Sequence, residues 1–191
     1  MAFGAVLDAC VLIPAALRDT LLRASDAALY RAHWSEHILE EVARNLAEGF
    51  IGPERAASLV RQVREHFPDA AVPLERYEPL IGVMTNHPKD RHVLAAAVAA
   101  GAEVIVTRNL RDFPAEALEP YGVEAQSPDE FLVSLFDLYP SLMVGIIERQ
   151  AANLKNPPAT VERVLDTLAV DAPSFVAQIR NARQSLSLIH I

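Results

Sequence analysis

Residues 88–113 run PKDRHVLAAAVAAGAEVIVTRNLRDF, and no other stretch constrains the fold as tightly. Pro88 and Asp90 suit the first turn of a helix, the Ala-rich run continues it, and Gly101 stops it. Val104-Ile105-Val106 then reads as a strand covered on both faces. A helix delivered straight into a buried strand is a step of an α/β unit. That strand ends in Thr107-Arg108-Asn109-Leu110-Arg111-Asp112, where a plain loop would more often use Gly, Ser or Pro. These are groups able to hold a cation and a phosphate.

The rest of the chain repeats the alternation. AVLDACVLIP is a short buried strand ending near Asp8, followed by a turn to Pro14. Helical spacing follows, with Leu17, Leu21, Leu22 and Leu29 close to one stripe. Ser35 is a plausible N-cap for a helix with Ile38, Leu39, Val42 and Leu46 on its apolar face and Gly49 as its stop. Another helix covers PERAASLVRQVREHF, LERYEPLIGVM is ambiguous, YGVEAQ is a weaker strand, and Ser127, Pro128 and Glu130 open a capped helix. The order indicates an α/β sandwich with a mostly parallel sheet. From Tyr139–Pro140 onward only helices are expected, over about 140–153, 158–169 and 172–184, broken by NPP and DAP. The division is therefore 1–139, a helical extension at 140–184, and an apolar tail at 185–191 that suits neither a helix end nor a solvated terminus and looks foreign.

Composition narrows the function. With 191 residues, 51% of them hydrophobic, the chain can bury one full core and a small helical addition. A net charge of −8 argues against a broad basic face that grips nucleic acid by charge alone. Cys10 is the single cysteine, so no intrachain disulfide forms and a reducing, cytoplasmic setting is expected, with no membrane contact.

Four acids stand where chemistry would need them. Ligands of open α/β sheets bind at the carboxyl ends of the strands. Asp8 ends the first strand, Asp112 follows the strand at 103–107, and Asp90 opens the helix that leads into it. Glu41 precedes Val42 of an apolar stripe and can lean over the sheet edge; Glu40, its neighbour, is a rival. Each acid taken alone has an ordinary reading as a turn former, an N-cap, a solvated helix face or an Arg partner. Their conjunction weakens those readings, because clustered carboxylates repel one another unless a cation neutralises them. His87 and His92 lie near Asp90 but read as surface groups.

AVLDACVLIP, WSEHILEEVARNL and PKDRHVLAAAVAAGAEVIVTRNLRDFP together resemble the PIN-domain family, over residues 4–138 and all four acidic positions in order. The resemblance implies a three-layer α/β/α sandwich. It also implies that Asp8, Glu41, Asp90 and Asp112 bind Mg²⁺ or Mn²⁺ and cut RNA, as in VapC-type toxins of bacterial toxin–antitoxin pairs. A cognate antitoxin protein and a homodimeric assembly are expected on the same ground. Many family members carry an acid where this chain has Asn109, which leaves the fourth carboxylate to Asp112. Six residues after Ser35, Glu41 matches the family spacing and is preferred to Glu40. Thr107 and Asn109 are expected to support the site or position water, and Arg91, Arg108 and Arg111 to steer the RNA backbone or pair with the acids.

Two other classes are weighed. An aspartyl-phosphate phosphatase would want a second Asp two residues after Asp8, where this chain has Cys10. A non-catalytic α/β binding module would not need four acids.

Overall fold

The computed structural model describes residues 2–49 and 51–189. Two compact units emerge, one of Met1–Pro14 with Tyr30–Ser127 and one of Ala15–Leu29 with Pro128–Ile191.

The first unit is built on five strands, β1 (Gly4–Leu7), β2 (Arg31–Ser35), β3 (Ala71–Val72), β4 (Val104–Val106) and β5 (Glu124–Gln126). They lie in the order β3-β2-β1-β4-β5, and every neighbouring pair is parallel. The sheet is thus wholly parallel, where a mostly parallel one was expected. All residues of β1 and β4 are buried, as their continuous apolar runs require. Val6 pairs with Ile105 and Leu7 with Val106, so β1 and β4 end side by side.

Helices connect the strands. After β1 comes the single turn α1 (Ala9–Leu12), while the longer α2 (Ala15–Asp26) belongs to the second unit. Between β2 and β3 lie α3 (Glu36–Gly49) and α4 (Pro53–His66); between β3 and β4 lie α5 (Leu74–Ile81) and α6 (Arg91–Ala100). The β2-to-β3 connection steps away from β1, whereas β3-to-β4 crosses back over it. Right-handed crossovers therefore put α3 and α4 on one face and α5 and α6 on the other, an α/β sandwich. The short α7 (Ala115–Leu118) leads to β5.

Local sequence explains the elements that matter. Residues 93–97 of α6 are all buried, and its small Ala side chains let the helix lie close on β1, β2 and β4. At φ 64°, Gly101 takes the left-handed position, and its N–H reaches the carbonyls of Ala97 and Val98. The N–H of Ile38 is capped by Ser35 Oγ at 3.2 Å, so α3 starts as expected and buries Ile38, Leu39, Val42 and Leu46.

One expectation needs correction, and one open reading is resolved. The helical stripe does not reach Leu29: α2 ends at Asp26, Ala28 turns at φ 58°, and β2 begins at Arg31. Tyr30, Ala32 and Trp34 are buried and alternate with exposed Arg31 and half-buried His33, the period of a strand. The ambiguous segment at 74–84 is helical over Leu74–Ile81 and buries Tyr77.

The second unit adds α8 (Pro128–Leu138), α9 (Pro140–Asn153), α10 (Val161–Leu168) and α11 (Pro173–Ile189) to α2. Tyr139–Pro140, the boundary read from the sequence, falls inside this unit. Here α8 packs on α9 and α11, and α2 on α9 and α10, so residues 15–29 and 128–138 group with the later helices. Asp129 accepts from the N–H groups of Ser174 and Phe175, tying α8 to the start of α11. That helix continues to Ile189, beyond the expected end at 184. The foreign character read into 185–191 concerns side chains that lie, from 186 on, outside the described residues. No single described helix is long and apolar enough to cross a membrane; α8 and α9 pass only as a pair, bent by 119°.

Candidate active site

The strand order reverses at β1 and β4, and the crevice beyond their carboxyl ends is where an open sheet binds ligands. Asp8 sits there, only 4% exposed. Its N–H bonds to Val106 O across the β1–β4 seam at 3.1 Å, which fixes the carboxylate at the crevice. One oxygen, Oδ1, accepts from Ala9 N at 2.7 Å; the other, Oδ2, accepts from the Thr107 hydroxyl at 2.7 Å. Cys10 Sγ lies 3.4 Å from Oδ2 and itself accepts from Arg108 N at 3.2 Å. Burial, followed by the Asp8 charge, pushes the Cys10 thiol up to about 12, which makes it a poor nucleophile.

The polar run after β4 is a folded turn. Asn109 N donates to Thr107 Oγ1, Asp112 N to Asn109 O and Phe113 N to Leu110 O, giving a 3₁₀ turn over Leu110–Asp112. Phe113 is buried and anchors it. Asp112 O then accepts from His87 N at 3.1 Å, so this turn is bonded to the segment that opens α6. That one backbone bond brings Asp112 beside Asp90.

Asp90 occupies the N-cap position of α6, but its side chain makes no capping hydrogen bond. Its carboxyl group is raised above the usual range by burial, then by the charges of Asp8 and Asp112, against the pull of His87 and Lys89. Glu41 is raised as well, by burial and then by Asp8, with Asp90 adding to it and Arg44 opposing. Half-buried Glu41 therefore faces the other acids, while Glu40 is exposed.

The four acids share one electrostatic field, but they are not equidistant. Donor atoms of Asp90, Asp112 and His87 all lie within 4.8 Å of one another, a group that does not include Asp8 or Glu41. His87, set aside in the sequence as a surface group, belongs to this cluster, with Nδ1 3.5 Å from Asp90 Oδ2. Its spacing of three residues from Asp90 was the available signal.

Thr107 is fully buried and holds Asp8, whereas Asn109 contributes its backbone N–H and is exposed. Arg108 and Arg111 are also exposed; Arg111 Nε stands 4.0 Å from Asp112 Oδ1 and its side chain is 92% exposed. Arg91 donates from Nε to Asn86 O at 3.4 Å. Asn86 itself is buried, and neither of its amide atoms has a partner.

Comparison with known proteins gives two family matches, the first of which runs through residues 15–29 of the second unit. Residues 4–111 match a family model described as PIN domain, and residues 128–181 match one described as VapC50 C-terminal domain. The PIN-domain match contains Asp8, Glu41 and Asp90 and stops one residue short of Asp112. The chain is also 47% identical over 104 residues to "Putative ribonuclease VapC50" of Mycobacterium tuberculosis (strain ATCC 25618 / H37Rv). That alignment covers 54% of this chain and 62% of the relative, so the chain matches less than two thirds of that protein's length.

Proposed function

The chain belongs to the PIN-domain family, and from that premise we propose that it is a divalent-metal-dependent endoribonuclease, the toxin of a toxin–antitoxin pair. One observation carries the reading: Asp8, Glu41, Asp90 and Asp112, from separate elements, meet in one field at the carboxyl ends of β1 and β4. The match to a ribonuclease VapC supports the RNA substrate and the toxin role. Carboxylates that raise one another's proton affinity across a crevice are an oxygen-rich donor set suited to Mg²⁺ or Mn²⁺.

In this reading Asp90 and Asp112 hold the ion, with Asp8 and Glu41 completing the negative site. When bound, the divalent cation activates water and stabilises charge on the phosphate. The protein groups do the rest. Thr107 fixes the Asp8 carboxylate by occupying Oδ2, and Ala9 N fixes Oδ1, so Asp8 is pre-oriented. Glu41, with its raised proton affinity, is suited to take a proton from the attacking water. Arg108 and Arg111, exposed at the rim, engage RNA phosphates, and Asn109 beside them contacts the backbone or a water.

A cognate antitoxin and a homodimer belong to the same proposal. The phosphatase alternative loses ground because position 10 offers a protonated thiol in place of an acid. Incubation of the protein with end-labelled RNA tests the reading. Internal cleavage with Mg²⁺ or Mn²⁺ that stops on chelation supports it; intact RNA under all divalent ions contradicts it.

A further inference from the structure

We propose that His87 is a nitrogen donor of the cation site and sets its metal preference, tilting it from Mg²⁺ toward Mn²⁺ and other transition ions. This rests on the reading above that Asp90 and Asp112 hold a divalent cation.

The geometry begins with the backbone. Pro88 confines His87 to an extended conformation, and it is found at φ −51°, ψ 130°. Its N–H is bonded to Asp112 O and its C=O to Asp90 N, at 3.1 and 2.9 Å. The residue is therefore clamped between the two acids by its own main chain. The ring follows the main chain: a ring nitrogen and one oxygen from each carboxylate lie within 4.8 Å of one another. Octahedral ligands at about 2.1 Å from an ion stand about 3 Å apart when adjacent and about 4.2 Å apart when opposite. Side-chain adjustments of about an ångström each would bring all three onto one ion.

Nδ1 of the ring lies 3.4 Å from Lys89 N, near the outer limit of a hydrogen bond, so its one lone pair is only weakly held there. The same atom is 3.5 Å from Asp90 Oδ2, another acceptor. A cation between the nitrogen and the carboxylate would bond both in place of these long contacts. The ring is exposed enough for a hydrated ion to reach it.

The consequence is selectivity. Mg²⁺ prefers oxygen donors and parts reluctantly with water, whereas imidazole nitrogen favours transition ions. A site of carboxylates alone would discriminate weakly, and one imidazole changes that.

The test uses the full chain and Mn²⁺ as the probe. Mn²⁺ bound to the parent protein should show ¹⁴N coupling by pulsed electron paramagnetic resonance, and His87→Gln should abolish it. Titration should show His87→Gln weakening Mn²⁺ binding about tenfold while changing Mg²⁺ binding less than about twofold. Absent ¹⁴N coupling in the parent, coupling that survives in His87→Gln, or equal losses for both ions would each overturn the proposal and leave His87 as an ion-pair partner of Asp90. Asp90→Asn separates this from the functional reading. If Mn²⁺ affinity survives in Asp90→Asn, the carboxylate site itself fails. If Asp90→Asn removes binding but no ¹⁴N coupling is seen, only His87 fails.

Discussion

The hydroxyl of Thr107 donates to Oδ2 of Asp8 at 2.7 Å, joining the ends of β4 and β1 through their side chains. Both groups are buried, so the bond cannot be replaced by water. Thr107→Val keeps the shape and deletes the donor, leaving a carboxylate oxygen short of a partner. Stability should fall by about 1–3 kcal/mol in urea unfolding, and Thr107→Ser should recover most of it. A valine variant as stable as the parent would mean that the bond holds nothing in place.

Glu41 and Asp90 have raised proton affinities in the folded protein, against ordinary values of 4.5 and 3.8. The native state thus binds more protons than the unfolded chain in that window. Stability of the metal-free protein must fall as pH rises from those ordinary values through the raised folded ones. Melting in the presence of a chelator should show a shallower decline over this window for Glu41→Gln than for the parent. Added Mn²⁺ should restore stability above it. Identical pH profiles for the two proteins would remove Glu41 from the acid cluster.

Glu41 and Glu40 are neighbours that point to different surroundings. Glu41→Gln should lower RNA cleavage by about a hundredfold or more, and Glu40→Gln by less than about threefold. Equal losses, or the reverse order, would contradict the assignment.

Cys10 is shielded by burial first and by the Asp8 charge second, and its thiol stays protonated. At pH 8 a thiol titrating near 12 is ionised in only about 10⁻⁴ of molecules. Alkylation by iodoacetamide, followed by mass, should be far slower in the native protein than after denaturation. Asp8→Asn should accelerate it while the protein stays folded. Rapid alkylation of the native parent would show that the thiol is neither buried nor under the influence of Asp8.

In the helical unit, buried Gln150 accepts from Thr20 Oγ1 at 2.7 Å and donates to Ala16 O at 3.0 Å. Gln150→Leu strands the Thr20 hydroxyl with one bond fewer and should cost about 1–3 kcal/mol. Thr20→Val together with Gln150→Leu should cost less than the sum of the two changes, because they share the bond. Additive losses in a double-mutant cycle would show that the pair does not couple.

What could be read from the sequence is what local chemistry decides. The α6–β4 step was legible because Pro88, the Ala run, Gly101 and Val104–Val106 mark each boundary in order. The parallel α/β class followed from the same logic; Asp8, Asp90 and Asp112 stood out by their places at strand ends and a helix start, and Glu41 by its place beside an apolar stripe. β2 was hidden because Tyr30, Ala32 and Trp34 follow a leucine-rich helix whose apolar spacing runs on into them. Grouping α2 and α8 with the later helices depends on packing between distant segments, which no local pattern records. His87 was passed over for the same reason: its place beside Asp112 comes from a backbone bond between residues 25 apart in number, His87 N to Asp112 O.

We propose that the acids gathered beyond β1 and β4 hold the cation on which RNA cleavage depends. The most direct test is the cleavage rate of labelled RNA at saturating Mn²⁺ for the parent and Asp90→Asn, with circular dichroism confirming that both are folded. The parent should cut, chelation should stop it, and Asp90→Asn should be slower by about a hundredfold or more. A folded Asp90→Asn protein that cuts RNA at the parent's rate would contradict it.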